Sequence, residues 1–107
     1  MVTVAGRTSY GAGKRRPAVI VQSDTFAASF TVLVCPFTSE NVDVPDARFA
    51  IEPSSENGLV TRSWLMLDKV TPVQRAKMGK RIGRLDAADM RRANRGLAII
   101  LGFSESG

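Results

Sequence analysis

Two short runs of the sequence hold residue types that could act on an anion, and the first is a cluster of cations. Lys14, Arg15 and Arg16 stand directly before Pro17. Proline lacks a backbone N–H and has a fixed φ, so it suits the first residue of a strand, and it drives the residue before it toward extended geometry. We therefore expect Arg16 at the lip of a strand, with its guanidinium projecting over a neighbouring face. That position suits a contact with an anion.

The second run brings two hydroxyls to the end of another predicted strand. Segment 31–36 is rich in β-branched residues and closes with Pro36, which fits an extended segment that stops there. Phe37 follows this segment, and Thr38 and Ser39 come directly after Phe37. Core packing is favoured for Phe37 over stacking on a base.

The composition restricts the chemistry that these residues can support. The 107 residues include no histidine, which excludes serine and cysteine triads, histidine-based phosphodiester cleavage and most zinc sites. Cys35, the one cysteine, lies in an apolar strand without a histidine to activate it, so we interpret it as a buried structural residue. It can form no intrachain disulfide, and no signal peptide or membrane span is apparent, so we expect a cytoplasmic protein.

The charge is divided unevenly along the chain. The formal net charge is +5, made of +4 in residues 1–23, −5 in residues 24–60 and +6 in the remainder. If the two basic ends meet in the fold, they form a surface that attracts a polyanion such as nucleic acid; the alternative is a solvated basic surface. The length fits one domain spanning residues 1–107.

The expected elements are short strands followed by one helix. The predicted strands cover segments 2–5, 17–22, 31–36, 48–52, 63–67, 69–73 and 80–84, with a glycine-rich loop over 6–15 and a clear turn over 53–58. Five to six of these would form a mainly β (α+β) fold, an antiparallel barrel with a C-terminal α-helix against it.

The helix is predicted to begin after Asp86, whose carboxylate can cap the first turn. Its apolar stripe comprises residues 90, 93, 97, 100 and 101, and Gly102 is a plausible terminator. Gly96 in the interior should cost about 1 kcal/mol relative to alanine. That cost indicates close packing of the helix against another element or another subunit.

The ordered set of motifs resembles one known family. Arg16-Pro17 with the following Ala-Val-Ile-Val-Gln-Ser-Asp, and then Val-Cys-Pro-Phe-Thr-Ser ending at Ser39, is similar to the paired motif of MazF/PemK-type toxins of bacterial toxin–antitoxin modules. The order and spacing continue through Trp64-Leu-Met-Leu-Asp-Lys-Val, Gly83-Arg-Leu-Asp and the final Leu101-Gly102-Phe103. The resemblance covers nearly the whole chain, although the family usually has a few more residues before the first strand.

The resemblance implies an SH3-like barrel that forms a homodimer and cleaves single-stranded RNA at short sequences without a metal or other cofactor. It further implies 2′,3′-cyclic phosphate and 5′-hydroxyl products, and inhibition by a cognate antitoxin. The family's catalytic arginine and threonine match Arg16 and Thr38. A phosphorane transition state gains negative charge, so the fork of Arg16 and the hydroxyl of Thr38 would stabilise it directly.

Four neighbouring residues are predicted to bind RNA rather than to react. Lys14 and Arg15 would steer phosphates, since loop cations mainly position the backbone. Tyr10 could stack on a base, and Ser39 adds a polar contact beside Thr38. Trp64 is expected in the core or at a dimer interface.

Two other functions compete with the ribonuclease. A CcdB-like gyrase poison shares the fold and kills without catalysis, but its terminal Trp-Gly-Ile signature is replaced here by Leu101-Gly102-Phe103. A non-catalytic nucleic-acid-binding barrel would need only the basic ends. The helix also carries Arg91, Arg92 and Arg95. These cations either are solvated or bind an acidic antitoxin tail.

Overall fold

Antiparallel pairing joins the strands into one sheet, and the chain ends in a helix packed against it. The computed structural model describes residues 4–9, 15–22, 24–26, 28–41 and 43–103. The elements are β1 (Val4–Ser9), β2 (Arg15–Ile20), β3 (Thr31–Thr38), β4 (Arg48–Ile51), β5 (Ser63–Met66), β6 (Thr71–Gln74), β7 (Met78–Gly83) and α1 (Ala87–Ile100), with short 3-10 turns at Asp24–Phe26, Leu67–Lys69 and Arg75–Lys77.

The strand order confirms the predicted fold class, mainly antiparallel β with one C-terminal helix. The order is β4-β5-β3-β2-β1-β7, and β6 pairs with β3. The described sheet has seven strands, one for each segment predicted as a strand, whereas the barrel was expected to use five to six of them. Pro72 lies in β6 opposite Leu33, and β6 pairs with β3 alone, which is the edge position predicted for it. Within the described residues, no helix is long and apolar enough to cross a bilayer.

The first strand is longer than the sequence predicts, and the second begins and ends two residues earlier than predicted. Residues 6–9 were expected in a loop, but they belong to β1, whose six residues pair with β2 from Val4↔Ile20 to Ser9↔Arg15. This continuous ladder outweighs the turn preference of glycine. Arg16 is the second residue of β2, and Pro17, predicted to be the first residue of the strand, is the third.

The third strand is central and passes through its proline. It pairs with β6 over Thr31–Val34, with β2 over Val34–Pro36, and with β5 at Phe37 and Thr38. The prediction that the strand stops at Pro36 is wrong, because a new partner on the other side continues the pairing. One strand thus connects both parts of the sheet.

Two clusters of buried side chains stabilise this arrangement. The larger lies between the sheet and α1 and comprises Val19, Cys35, Phe37, Phe49, Ile51, Leu59, Leu65, Leu67, Leu85, Ala93 and Leu97. The smaller comprises Ala18, Val32, Val34 and Val73. Burial of the apolar surface of each large side chain contributes about 1.5–3 kcal/mol.

The helix follows the sequence prediction closely at both ends. The Asp86 carboxylate accepts a hydrogen bond from the Asp89 N–H at 2.8 Å, which satisfies one of the free donors of the first turn. Gly102 has φ +83°, and Phe103 N–H donates to Ala98 C=O at 2.7 Å, as in a glycine-terminated helix. The predicted stripe is buried only in part, since Ile100 remains 37% exposed.

Gly96 marks the closest contact between α1 and the rest of the chain. A methyl group at this position would overlap the carbonyl oxygen of Asp46 and a side-chain methyl of Leu67. The glycine therefore lets the helix lie directly on the β3–β4 connection. The sequence predicted that α1 packs at Gly96 against another element or another subunit. The contact observed is with another element of the same chain.

Gly96→Ala should lower the free energy of unfolding by about 1–3 kcal/mol, because overpacking outweighs the helix propensity that alanine gains. The measurement is urea denaturation. Asn94→Ala, at an exposed position of the same helix, is the control and should be neutral or slightly stabilising. A Gly96→Ala protein more stable than the wild type would contradict the close contact.

An ion pair fastens β4 to the 3-10 turn after β5. The Arg48 guanidinium donates to both carboxylate oxygens of Asp68, at 2.9 and 3.0 Å. These hydrogen bonds hold the pKa of Asp68 below its usual value. The folded protein then binds fewer protons at this site than the unfolded chain does, so the contribution to stability is present above the unfolded pKa and is lost as the pH falls.

Asp68→Asn should therefore lower stability near neutral pH by about 1 kcal/mol or less, since Asp68 is partly exposed. The difference from wild type should stay constant above about pH 5 and shrink as the pH falls from about 5 toward about 2, through the unfolded pKa and then the lower folded pKa of the carboxyl. Urea denaturation of both proteins across this range measures it. Glu52→Gln, which breaks the more exposed pair with Arg62, is the control; a difference for Asp68→Asn that does not change with pH would refute the assignment.

Candidate active site

The two residues predicted to be catalytic meet where β3 leaves β2. The pairing between these strands extends to Ala18↔Pro36, and beyond that point β3 runs beside β5, with Thr38 opposite Trp64. The same antiparallel register, continued by two residues along each strand, sets Arg16 across from Thr38. At this position β2 and β3 keep the same register but are no longer paired. A gap is therefore left between the Arg16 and Thr38 side chains.

Proline accounts for the end of the ladder between β2 and β3. Val21 N–H donates to Leu33 C=O at 3.0 Å, and hydrogen-bonded pairs recur at every second residue of an antiparallel ladder. Pro17 therefore falls at a hydrogen-bonding position opposite Phe37, where it has no N–H to donate. The strands lose a hydrogen bond at this position, and β3 is free to turn toward β5.

The gap opens into a cavity of about 190 Å³. Its described lining comes from β2, the end of β3, the β4–β5 connection, the start of β5 and β7. It consists of Arg16, Pro17, Phe37, Thr38, Ser39, Gly58, Leu59, Val60, Thr61, Ser63 and Ile82. Within that lining Arg16 is the one charged residue, and the remaining polar side chains are hydroxyls. The described part of this cavity therefore favours an anion.

Arg16 is exposed, and its backbone is held by pairing with Thr8 of β1. Among the described residues, no carboxylate forms an ion pair with it. The described residues therefore leave the guanidinium open to a ligand. An arginine on a paired strand can bind a phosphate through two parallel hydrogen bonds.

Thr38 has a hydroxyl oriented by its own backbone. Its Oγ1 accepts a hydrogen bond from Glu40 N–H at 3.2 Å, in the local side-chain-to-backbone pattern common for threonine in turns. Because this contact uses an oxygen lone pair, the hydroxyl hydrogen remains free to be donated. Thr38 can thus act toward an anion as a neutral donor.

The predicted RNA-binding residues are described to different extents. Ser39 lines the cavity beside Thr38. Arg15 is the first residue of β2, opposite Ser9, but its side chain lies outside the described part. Tyr10 and Lys14 also lie outside the described residues.

Three other residues from the sequence prediction are structural. Phe37 is buried, as predicted. Trp64 is buried within the chain, and its indole N–H donates to the Asp43 carboxylate at 3.1 Å, which ties the segment after Thr38 to β5. Cys35 is fully buried; its burial, with a smaller effect from the charge of Asp68, raises the pKa of the thiol to about 12. A thiol held in its neutral form is a poor nucleophile, which confirms the structural interpretation.

The helix arginines contact their own chain. The Arg92 guanidinium lies 4.0 Å from the centre of the Phe49 ring, and Arg95 forms an ion pair with Asp46 at 3.9 Å. Both line a second concavity of about 610 Å³ beside the β3–β4 connection. Arg91 is exposed on the helix.

Sequence reasoning missed the wall of the cavity that faces Arg16. This wall is residues 58–61, joined by Ile82 of β7. The turn over 53–58 was correctly predicted, but its contact with β7 was not, because nothing local in either segment indicates it. The one available sign was the pair of glycines on either side of Ile82, because glycine in a strand often marks the close approach of another backbone.

Comparison of the sequence with known proteins identifies the family of this chain. Residues 2–101 match the family model described as PemK-like, MazF-like toxin of type II toxin-antitoxin system. The chain belongs to this family. It is also 46% identical over 102 residues to a protein of Mycolicibacterium smegmatis named probable endoribonuclease MazF, a match that covers 95% of this chain and 93% of that protein.

Solved structures of MazF-like toxins share the fold. A mycobacterial endoribonuclease in complex with its cognate antitoxin aligns with TM-score 0.80 and 21% identity, over 96% of this chain and 95% of that one. The Mycobacterium tuberculosis toxin MazF-mt6 aligns with TM-score 0.78 and 19% identity, over 92% and 96%. At these identities the likeness establishes the architecture alone.

Proposed function

We propose that this MazF-like toxin endoribonuclease cleaves single-stranded RNA at short specific sequences without a metal ion, using Arg16 and Thr38. The observation that carries the proposal is the cavity between β2 and β3, where an arginine without a described carboxylate partner and a threonine with a free hydroxyl hydrogen line the same space. Family membership and the similarity to a probable MazF endoribonuclease supply the reaction class.

In the proposed reaction, the 2′-oxygen of one nucleotide attacks the phosphorus of its own 3′-phosphodiester. The new bond from O2′ to phosphorus forms as the bond from phosphorus to O5′ breaks, giving a 2′,3′-cyclic phosphate and a 5′-hydroxyl. The 2′-hydroxyl loses a proton to water, and the departing O5′ gains one from water. No net oxidation or reduction takes place.

The role of the protein in this reaction is electrostatic. The phosphorane carries more negative charge than the diester, so donors fixed toward its oxygens bind the transition state more strongly than the substrate. Arg16 supplies two parallel N–H donors and Thr38 supplies one O–H donor. A guanidinium is not deprotonated in proteins, so Arg16 acts by stabilising charge and not as a base.

The proposal extends to partners and location. A cognate antitoxin is expected because a mycobacterial endoribonuclease with the same fold is found in complex with one. A homodimer within the cytoplasm is also proposed. It is supported by apolar side chains at the end of α1 that this chain leaves exposed, Leu101 by 57% and Phe103 by 84%.

Incubation of the purified protein with a long single-stranded RNA in excess EDTA tests the proposal. We expect discrete cuts whose 5′ fragments end in 2′,3′-cyclic phosphate. Arg16→Ala should abolish detectable cleavage, and Thr38→Ala should slow it by about 10²–10³-fold, as for loss of one fixed donor to a developing oxyanion. Thr38→Ser retains the hydroxyl and should keep most of the activity.

Arg91→Ala, which removes an exposed cation of the helix, is the control and should cleave like the wild type. Cleavage near the wild-type rate by both Arg16→Ala and Thr38→Ala would remove the site assignment. Intact RNA with the wild-type protein would refute the ribonuclease proposal itself.

A further inference from the structure

Val60 is the most exposed apolar side chain that lines the candidate active site. It is 84% exposed and stands at the mouth of the cavity that holds Arg16 and Thr38. Its neighbour Leu59 is 7% exposed and packs in the core. Leu59 is thus fixed in the core, while the next residue, Val60, faces solvent.

The segment that carries Val60 is fixed by a buried asparagine. Asn57 is 4% exposed, and its side-chain oxygen accepts from Ser54 N–H at 3.0 Å and from Leu59 N–H at 2.9 Å. Its amide nitrogen donates to Glu52 C=O at 2.9 Å. One side chain therefore ties together the turn that leads to Val60.

Two glycines fasten this turn to β7. Gly58 has φ +69° and a Cβ there would overlap the carbonyl of Ile82, while a Cβ on Gly83 would overlap the carbonyl of Glu56. Arg84 N–H donates to Glu56 C=O at 2.8 Å. The wall of the cavity is therefore held on a strand, and Val60 keeps its position relative to Arg16 before any ligand binds.

Such a side chain suits a contact with a base. A cavity of about 190 Å³ is smaller than the roughly 300–1,000 Å³ of sites for drug-sized ligands, so an RNA strand can place only part of one nucleotide inside it. With the phosphate at Arg16 and Thr38, the adjoining base must lie at the mouth. The Val60 side chain can pack against this base but cannot hydrogen-bond to it. It therefore favours a base that needs no polar partner at the edge that faces Val60.

We propose that Val60 is a specificity-determining residue, which contacts the base next to the cleaved phosphodiester, and that the turn at Asn57 and Gly58 positions it. This inference rests on the proposed ribonuclease function. It assigns part of the sequence preference to the β4–β5 connection and leaves the chemistry to Arg16 and Thr38.

The test compares Val60→Thr with Val44→Thr. Threonine has nearly the shape of valine, with a hydroxyl in place of one methyl group, so the substitution changes hydrogen bonding and not size. Val44 is also an exposed valine, 38% accessible, but it lines the second concavity. Each protein is incubated with a pool of RNA of random sequence, and the cut sites are mapped by sequencing the fragment ends.

Val60→Thr should change the base preference at one position beside the cut by about three- to tenfold, as expected for one net hydrogen bond. Val44→Thr, which lies outside the candidate active site, should reproduce both the preference and the total cleavage of the wild type. An unchanged preference in Val60→Thr would overturn the proposal, as would equal shifts in both variants. A changed oligomeric state of Val60→Thr with an unchanged cut site would instead assign Val60 to a protein interface.

The two proposals fail in different ways. A wild-type protein that leaves the random pool intact would refute the ribonuclease function and this inference with it. A wild-type protein that cuts at a defined sequence, together with a Val60→Thr variant that cuts at the same sequence, would refute this inference alone.

Discussion

The separation of β3 from β2 is the constraint on which the candidate site depends. If the two strands stayed paired, the Arg16 and Thr38 side chains would stand as direct cross-strand neighbours, with no gap between them. Pro17 removes a donor from the ladder at the position opposite Phe37, and β3 regains its pairing on β5. The backbone therefore remains satisfied on one side of β3 while the other side opens to a ligand.

The fold holds the two sides of this opening by different means. Arg16 is held through the ladder between β1 and β2, and Thr38 through its pairing with Trp64, whose indole in turn anchors the following segment at Asp43. The opposite wall is held by the Asn57 network and by the contact of Gly58 with β7. Fixed donors lower a barrier only if they do not have to reorganise during the reaction, so this rigidity is part of the proposed mechanism.

Local chemistry explains which features the sequence could predict. The helix start at Asp86, the glycine terminator at 102 and the close packing at Gly96 follow from rules that act within one turn or at one backbone position. Arg16 and Thr38 were proposed as the catalytic pair because the motifs around them resemble a known family. That identification depended on pattern and not on any calculation of distance.

The features that the sequence did not predict are all long-range. Residues 6–9 resemble a loop until β2 is placed beside them, and the strand through Pro36 continues only because β5 is available as a partner. Val60 follows an obvious turn, but its place in the cavity depends on β7, more than fifteen residues later in the chain. Pairing over such separations is decided by the whole sheet, which local propensities do not encode.

A double-mutant cycle tests most directly whether Arg16 and Thr38 act together on one phosphate. Single-turnover cleavage rates are measured for the wild type, Arg16→Lys, Thr38→Ala and the double variant; lysine keeps the charge of Arg16 but loses its planar fork, so activity remains measurable. If both residues stabilise the same transition state, the double variant will lose less activity than the product of the two single losses. Losses that simply multiply would show that the two residues act independently, and would contradict the shared site.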